Sequence, residues 1–186
     1  MKKLVLVLAV VLLAGCGSTA PTSHPKPSSS PTQIALSVPS SCTSTEMLNA
    51  LTPIVPGSKF IDTPWHPAPG TELADFLSNG GIACSYGLQS AAIGVTVRWV
   101  KDSGSYFDKR VASWSKDGYS LVDLPAVDER AAYFISKPQS GTQEFNIWTV
   151  NISYQGFWVS ISSSFSHTLD EGKPLVDAAL KSLGSK

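Results

Sequence analysis

The sequence predicts an α+β domain: an antiparallel sheet of about five to six strands, helices packed mainly on one of its faces, and one disulfide. Three observations carry that expectation. Some runs alternate apolar and polar residues with period two, as Val95, Val97 and Trp99 do against Thr96 and Arg98. Others recur at helical spacing, as Phe107, Val111 and Trp114 do at i, i+4 and i+7. Of three cysteines, the two outside the N-terminal segment, Cys42 and Cys84, form an even pair.

The N-terminus sets the compartment in which that pair is read. Lys2-Lys3 precede an apolar run from Leu4 to Ala14 and then Gly15-Cys16, the charged, apolar and small-residue order of a secretory signal. A membrane span needs roughly 18 or more apolar residues, and this run is shorter. Leu13-Ala14-Gly15-Cys16 looks like a bacterial lipobox, in which Cys16 receives the lipid and becomes the first residue after cleavage. Residues 1–15 are thus read as a lipoprotein signal peptide, and the expected partner is the membrane through lipid on Cys16. Two acyl chains anchor stably where one binds only marginally. The expected location is the extracytoplasmic side of the cell membrane.

Residues 16–37 are read as the lipidated cysteine and a Ser/Thr/Pro-rich tether. Between Gly17 and Thr32 the only full charge is Lys26, and there are too few apolar groups to offset ordering. Residues 38–186 remain as a single globular α+β domain, enough chain for one core. Without residues 1–15 the chain holds 12 basic and 14 acidic residues, a formal charge of −2. A basic footprint is missing, so nucleic acid is not an expected partner.

In an oxidising compartment Cys42 and Cys84 are expected to pair. The alternatives are two buried thiols or a metal site, for which the sequence offers neither a C-x-x-C motif nor a neighbouring histidine pair. Thr43-x-x-Glu46 reads as a capping box opening a helix through Met47, Leu48 and Leu51, stopped by Pro53. A Pro/Gly-rich connection runs from Pro53 to Gly70, and a short helix is expected around Glu72–Ser78. Strands are expected at 81–86 and 93–100, and a helix through Trp114 ends at Asp117-Gly118. Further strands are expected at 119–124, 131–136, 144–154 and 157–164, the last two joined by a tight Gln155-Gly156 turn. A final helix is read over 174–183, with Gly184 as its C-cap.

Several of these features occur together in a known group. The lipobox, the tether, Cys42 before the first helix, Gly80-Gly81-Ile82-Ala83-Cys84-Ser85-Tyr86 and Asp128-Glu129-Arg130-Ala131-Ala132-Tyr133 resemble small, uncharacterised actinobacterial lipoproteins. Their domain is similar to the extracellular sensor domains of actinobacterial serine/threonine kinases. The resemblance implies a single-disulfide α+β domain and, through the kinase sensors, a ligand-sensing subunit of a membrane complex. It supplies no catalytic residues.

Chemistry-bearing residues are sparse. No G-x-S-x-G motif occurs, and of three histidines His24 lies in the tether. His66 and His167, with Asp170 and Glu171 near the latter, are the groups from which a hydrolase site could be assembled. His167-x-x-Asp170-Glu171 otherwise reads as the polar start of the last helix, Asp170 serving as N-cap or first-turn acid. No catalytic residue, metal or cofactor is assigned. On the strand at 157–164, Trp158 shares a face with Ser160 and Ser162, while Phe157, Val159 and Ile161 point to the core. Read as an outer face, that set is a platform for a sugar ring or a partner's side chain. Trp65-His66 in the long connection is a second candidate, with Trp65 alternatively a plug on the core. The leading expectation is a non-catalytic envelope lipoprotein that binds a cell-wall glycan, a lipid or a protein partner.

Overall fold

The computed structural model describes residues 35–103, 105–124, 132–138 and 146–184. Cys16, the signal and most of the tether, and residues 128–131 of the resemblance lie outside them. The elements run as a 3-10 turn (Cys42–Ser44), α1 (Met47–Leu51), β1 (Lys59–Ile61), α2 (Glu72–Ser78), β2 (Ile82–Leu88) and β3 (Ile93–Lys101). They continue through α3 (Tyr106–Lys116), β4 (Ser120–Val122), β5 (Ala132–Pro138), β6 (Asn146–Tyr154), β7 (Phe157–Ser163) and α4 (Leu169–Lys181). The strands form one antiparallel sheet of seven in the order β1-β2-β3-β7-β6-β5-β4. The seventh strand, beyond the five to six expected, is β1, three residues hidden inside the Pro/Gly-rich connection.

Register fixes two faces. Cys84, Val97, Ile161, Val150 and Phe134 stand opposite one another in a single row across β2, β3, β7, β6 and β5. That row belongs to the larger core, closed by Met47 and Leu51 of α1 and Leu175, Val176 and Ala179 of α4. Trp99 and Trp148 are also buried there. Each indole satisfies its N–H on a backbone carbonyl of the α4 region, Ala179 O at 2.8 Å and Thr168 O at 2.8 Å. Leu36 and Val38 pack against this core, and Gly184 N–H donates to Ser37 O at 2.8 Å.

The opposite face is not bare. Val100 and Trp158 on the sheet pack with Phe76 of α2 and Phe107 and Trp114 of α3 in a second buried cluster. Helices therefore cover both faces, and the expectation of one helical face is corrected. The signal was in the helices themselves: Phe107 and Trp114 need an apolar partner, and Trp158 with Val100 offers one on a face that otherwise mixes polar and apolar side chains. Arg110 fastens the two helices together, with Nε 3.2 Å from Asp75 Oδ2 and a terminal nitrogen donating to Gly70 O at 3.0 Å.

Local chemistry explains the ends. Gly80 and Gly81 close α2 in a Schellman arrangement, Gly80 N–H to Leu77 O at 3.3 Å and Gly81 N–H to Phe76 O at 2.9 Å, with Gly80 at φ +74°. A Cβ on Gly81 would meet Trp99 O at 2.5 Å, so the helix end and β3 approach closely only through glycine. Gln155 and Gly156 both have positive φ, as a tight hairpin turn of the primed kind requires. The expected Thr43 capping box does not form. Tyr86 Oη donates to Cys42 O at 2.7 Å and the disulfide ties Cys42 to β2, so the chain tightens into the 3-10 turn and the helix begins at Met47. The last helix begins earlier than expected, at Leu169. Thr168 Oγ1 accepts from Glu171 N–H at 3.2 Å, and Glu171 accepts from His167 N–H at 2.7 Å. Pro174 falls inside this helix, and Asp170 is a first-turn acid.

Candidate functional site

The pleat of the second face alternates away from the core, and its side chains form rows across the strands. The row nearest α2 and α3 is apolar, Val100 beside Trp158. The next is Ala83, Arg98, Ser160, Asn151, Tyr133 and Leu121, one residue from each of β2, β3, β7, β6, β5 and β4. Beyond it Ser85, Thr96, Ser162 and Thr149 stand side by side on β2, β3, β7 and β6, flanked by Ile61 and Ile135. These four hydroxyls pair off, Ser85 with Thr96 at 3.2 Å and Ser162 with Thr149 at 3.0 Å. At a strand spacing of about 4.8 Å the hydroxyl row is about 14 Å long. Ser85, Thr96 and Ser162 are partly exposed, and the β2 and β3 end opens into a groove of about 400 Å³ that also takes in Ile61, Gln89, Gly94 and Ser164.

Between the hydroxyl row and the aromatic cluster lies a charged seam. Glu72, the first residue of α2, accepts the Trp114 indole N–H and stands 3.8 Å from the Arg98 guanidinium. Burial pulls the Arg98 guanidinium below its ordinary value, against the opposing pull of Glu72. Burial likewise raises the Tyr119 phenol, with the Glu72 charge adding to the rise, while its hydrogen bond with Thr149 works the other way. Beneath the seam are two polar atoms with no hydrogen-bond partner among the described residues, Asn151 Nδ2 and Ser160 Oγ. They are neighbours, since Asn151 stands opposite Ser160.

The expected binding residues fare unequally. Trp158 is fully buried, its ring 4.2 Å from that of Phe76 and 5.6 Å from that of Trp114, so it is no exposed platform. Ser160 is buried beside it, and only Ser162 reaches the open row. Trp65 is half-buried, its indole N–H donating to Ala83 O at 2.9 Å, which fits a plug against β2. His66 and His167 are both exposed and are not brought together: Trp65 next to His66 is tied to β2, whereas His167 O accepts from Ser136 Oγ of β5. Three strands separate β2 from β5, about 19 Å across the sheet. Asp170 and Glu171 lie in the first turn of α4, close in sequence to His167. Cys42 and Cys84 form the expected disulfide, with Cα atoms 5.4 Å apart. Among the described residues no group of three or more His, Cys, Asp and Glu is placed to hold a metal, and no helix is long and apolar enough to cross a membrane.

Sequence reasoning passed over Glu72, Ser85, Thr96, Arg98, Tyr119, Thr149 and Asn151. Thr149 and Asn151 alternate with Trp148, Val150 and Ile152 and so belong to the face opposite the larger core. Their alignment with Thr96 and Arg98 follows only from a register that brings β7 between strands distant in sequence. A larger groove of about 500 Å³ lies between α1 and α4, lined by Glu46, Asp170, Lys173 and Asp177 among others, and neither unpaired buried atom belongs to it. Comparison with protein-family models, with curated proteins and with solved structures found no match.

Proposed function

We propose that this chain is a lipid-tethered envelope protein whose domain binds a polyhydroxylated ligand, a cell-wall glycan, on the hydroxyl row of the second sheet face. The reading is non-catalytic. The observation that carries it is the alignment of Ser85, Thr96, Ser162 and Thr149 across four strands beside the Arg98–Glu72 pair. Hydroxyls both donate and accept, and the charged seam adds strong donors and an acceptor, which is the mixed hydrogen-bonding surface a sugar needs. A hydrolase built on His66 and His167 gains nothing from their placement on opposite parts of the sheet.

Co-sedimentation of the intact chain with insoluble cell-wall glycan tests the ligand. The chain should be retained, and the combined change Thr96→Val, Thr149→Val and Ser162→Ala should cut retention at least tenfold without unfolding the protein. Retention that ignores those changes, or capture only by lipid vesicles or by a protein partner, contradicts the reading. The tether is tested separately by Cys16→Ser, which should leave the protein in the medium or as an uncleaved precursor. A mature-sized mutant that still fractionates with membranes contradicts the lipid anchor.

A further inference from the structure

We infer that Arg98, Ser160 and Asn151 form a seat for a carboxylate, so that the ligand of this face is an acidic sugar. The inference rests on the glycan reading and narrows it. The three residues are consecutive across β3, β7 and β6, each standing opposite the next. All three offer donors: a guanidinium, a hydroxyl and an amide nitrogen. Asn151 Nδ2 and Ser160 Oγ have no partner among the described residues, and both side chains are at least 99% buried. Buried polar groups are normally paired, so two adjacent orphans mark a place where an acceptor belongs.

The charge of that acceptor follows from Arg98. Its only ionic contact among the described residues is with Glu72 at 3.8 Å, beyond hydrogen-bonding distance, while Glu72 is drawn aside to the Trp114 indole. Arginine forks match a carboxylate in two parallel short bonds, a geometry this loose pair does not reach. Glu72 is thus an internal stand-in, and both side chains of the pair reach the surface, Arg98 with 21% and Glu72 with 25% of the side chain exposed. A sugar carboxylate arriving over Thr96 and Ser162, in the adjacent row, displaces Glu72, pairs with the guanidinium and meets the two orphan donors beneath it.

The test titrates the intact chain with a tetrasaccharide containing glucuronic acid, its counterpart with glucose in that place, and sodium acetate, following the Arg98 side-chain Nε resonance by NMR. The acidic tetrasaccharide should bind at least tenfold more tightly than the neutral one. Arg98→Lys should abolish that preference, and Glu72→Gln, which removes the competitor, should tighten acidic binding several-fold. Thermal melts confirm that each variant is folded. Equal affinities for the two tetrasaccharides, with Glu72→Gln inert, overturn the carboxylate seat and leave the glycan reading standing. An acetate-induced shift at Arg98 with neither sugar bound keeps the seat and overturns the glycan reading. Silence to all three overturns both.

Discussion

Trp158 donates its indole N–H to Asn151 Oδ1 at 3.1 Å, between two strands that share a hairpin. An indole N–H can only donate, so the oxygen of Asn151 must face it. The amide nitrogen is therefore the end left without a partner. One bond thus links the aromatic cluster under α2 and α3 to the donors of the candidate site.

From that burial, Trp158→Ala should cost roughly 3–5 kcal/mol, the range for a large aromatic truncated in a core. Trp114→Ala, from the same cluster, should cost a similar amount. Urea midpoints at constant slope measure both. A loss for Trp158→Ala of less than about 1 kcal/mol, against the full cost for Trp114→Ala, contradicts the packing described for this face.

The Cys42–Cys84 bond closes a loop with a sequence separation of 42 and ties the 3-10 turn to β2. In the chain-entropy model such a loop contributes about 4 kcal/mol by restricting the unfolded chain. Reduction, or the double change to serine, should lower stability by roughly 2–5 kcal/mol. Non-reducing peptide mapping should recover the two cysteines as one linked pair. Free thiols at both positions contradict the bond.

Much of this architecture is legible in the sequence because it depends on local chemistry. The alternation at 93–100, the Gln155-Gly156 turn and the helix at Glu72–Ser78 follow from period, turn residues and length, and each stands in the structure. What was not legible depends on partners distant in the chain. Trp158 with Ser160 and Ser162 forms a mixed face by any local reading, and whether water or a helix covers it is decided by where α2 and α3 pack. β1 is three residues long and draws its order from pairing with β2, so no periodicity betrays it. Pro174 resembles a helix start, yet the capping pair Thr168 and Glu171 begins α4 earlier. The candidate site fails for the same reason: its residues come from α2, β2, β3, β6 and β7 and the Tyr119 turn, and only the sheet order assembles them.

Gly172 sets two effects against each other. It lies inside α4, where replacing glycine by alanine favours the helix by about 1 kcal/mol. A Cβ there would fall within the indole of Trp148, which is fully buried and anchored to Thr168 O. Overpacking of a filled core costs about 1–3 kcal/mol, so the clash should win. Gly172→Ala is expected to lower the melting temperature, and an increase would mean that the α4 contact with β6 is looser than described.

The last prediction concerns alkaline pH at Tyr86, whose phenol is fully buried between β2 and the N-terminal turn. Burial pushes it up to about 12 from the ordinary 10.0, and the Thr45 hydroxyl beside it pulls weakly the other way. The folded state holds this proton more tightly than the unfolded chain does. The resulting stability is therefore complete below pH 10 and is lost as pH rises through about 12. Tyr86→Phe removes the titrating group together with the hydrogen bond to Cys42 O, which contributes about 1 kcal/mol at neutral pH. The variant should be less stable than the native chain at pH 7, and the gap should shrink as pH climbs above 10, then close and reverse before about 12, because each unit of raised pKa is worth about 1.4 kcal/mol. Tyr119, also raised, is present in both proteins and cancels in the difference. Urea denaturation of the two chains at a series of pH values gives that difference directly. A gap that stays constant over this range would assign the alkaline loss to some other group.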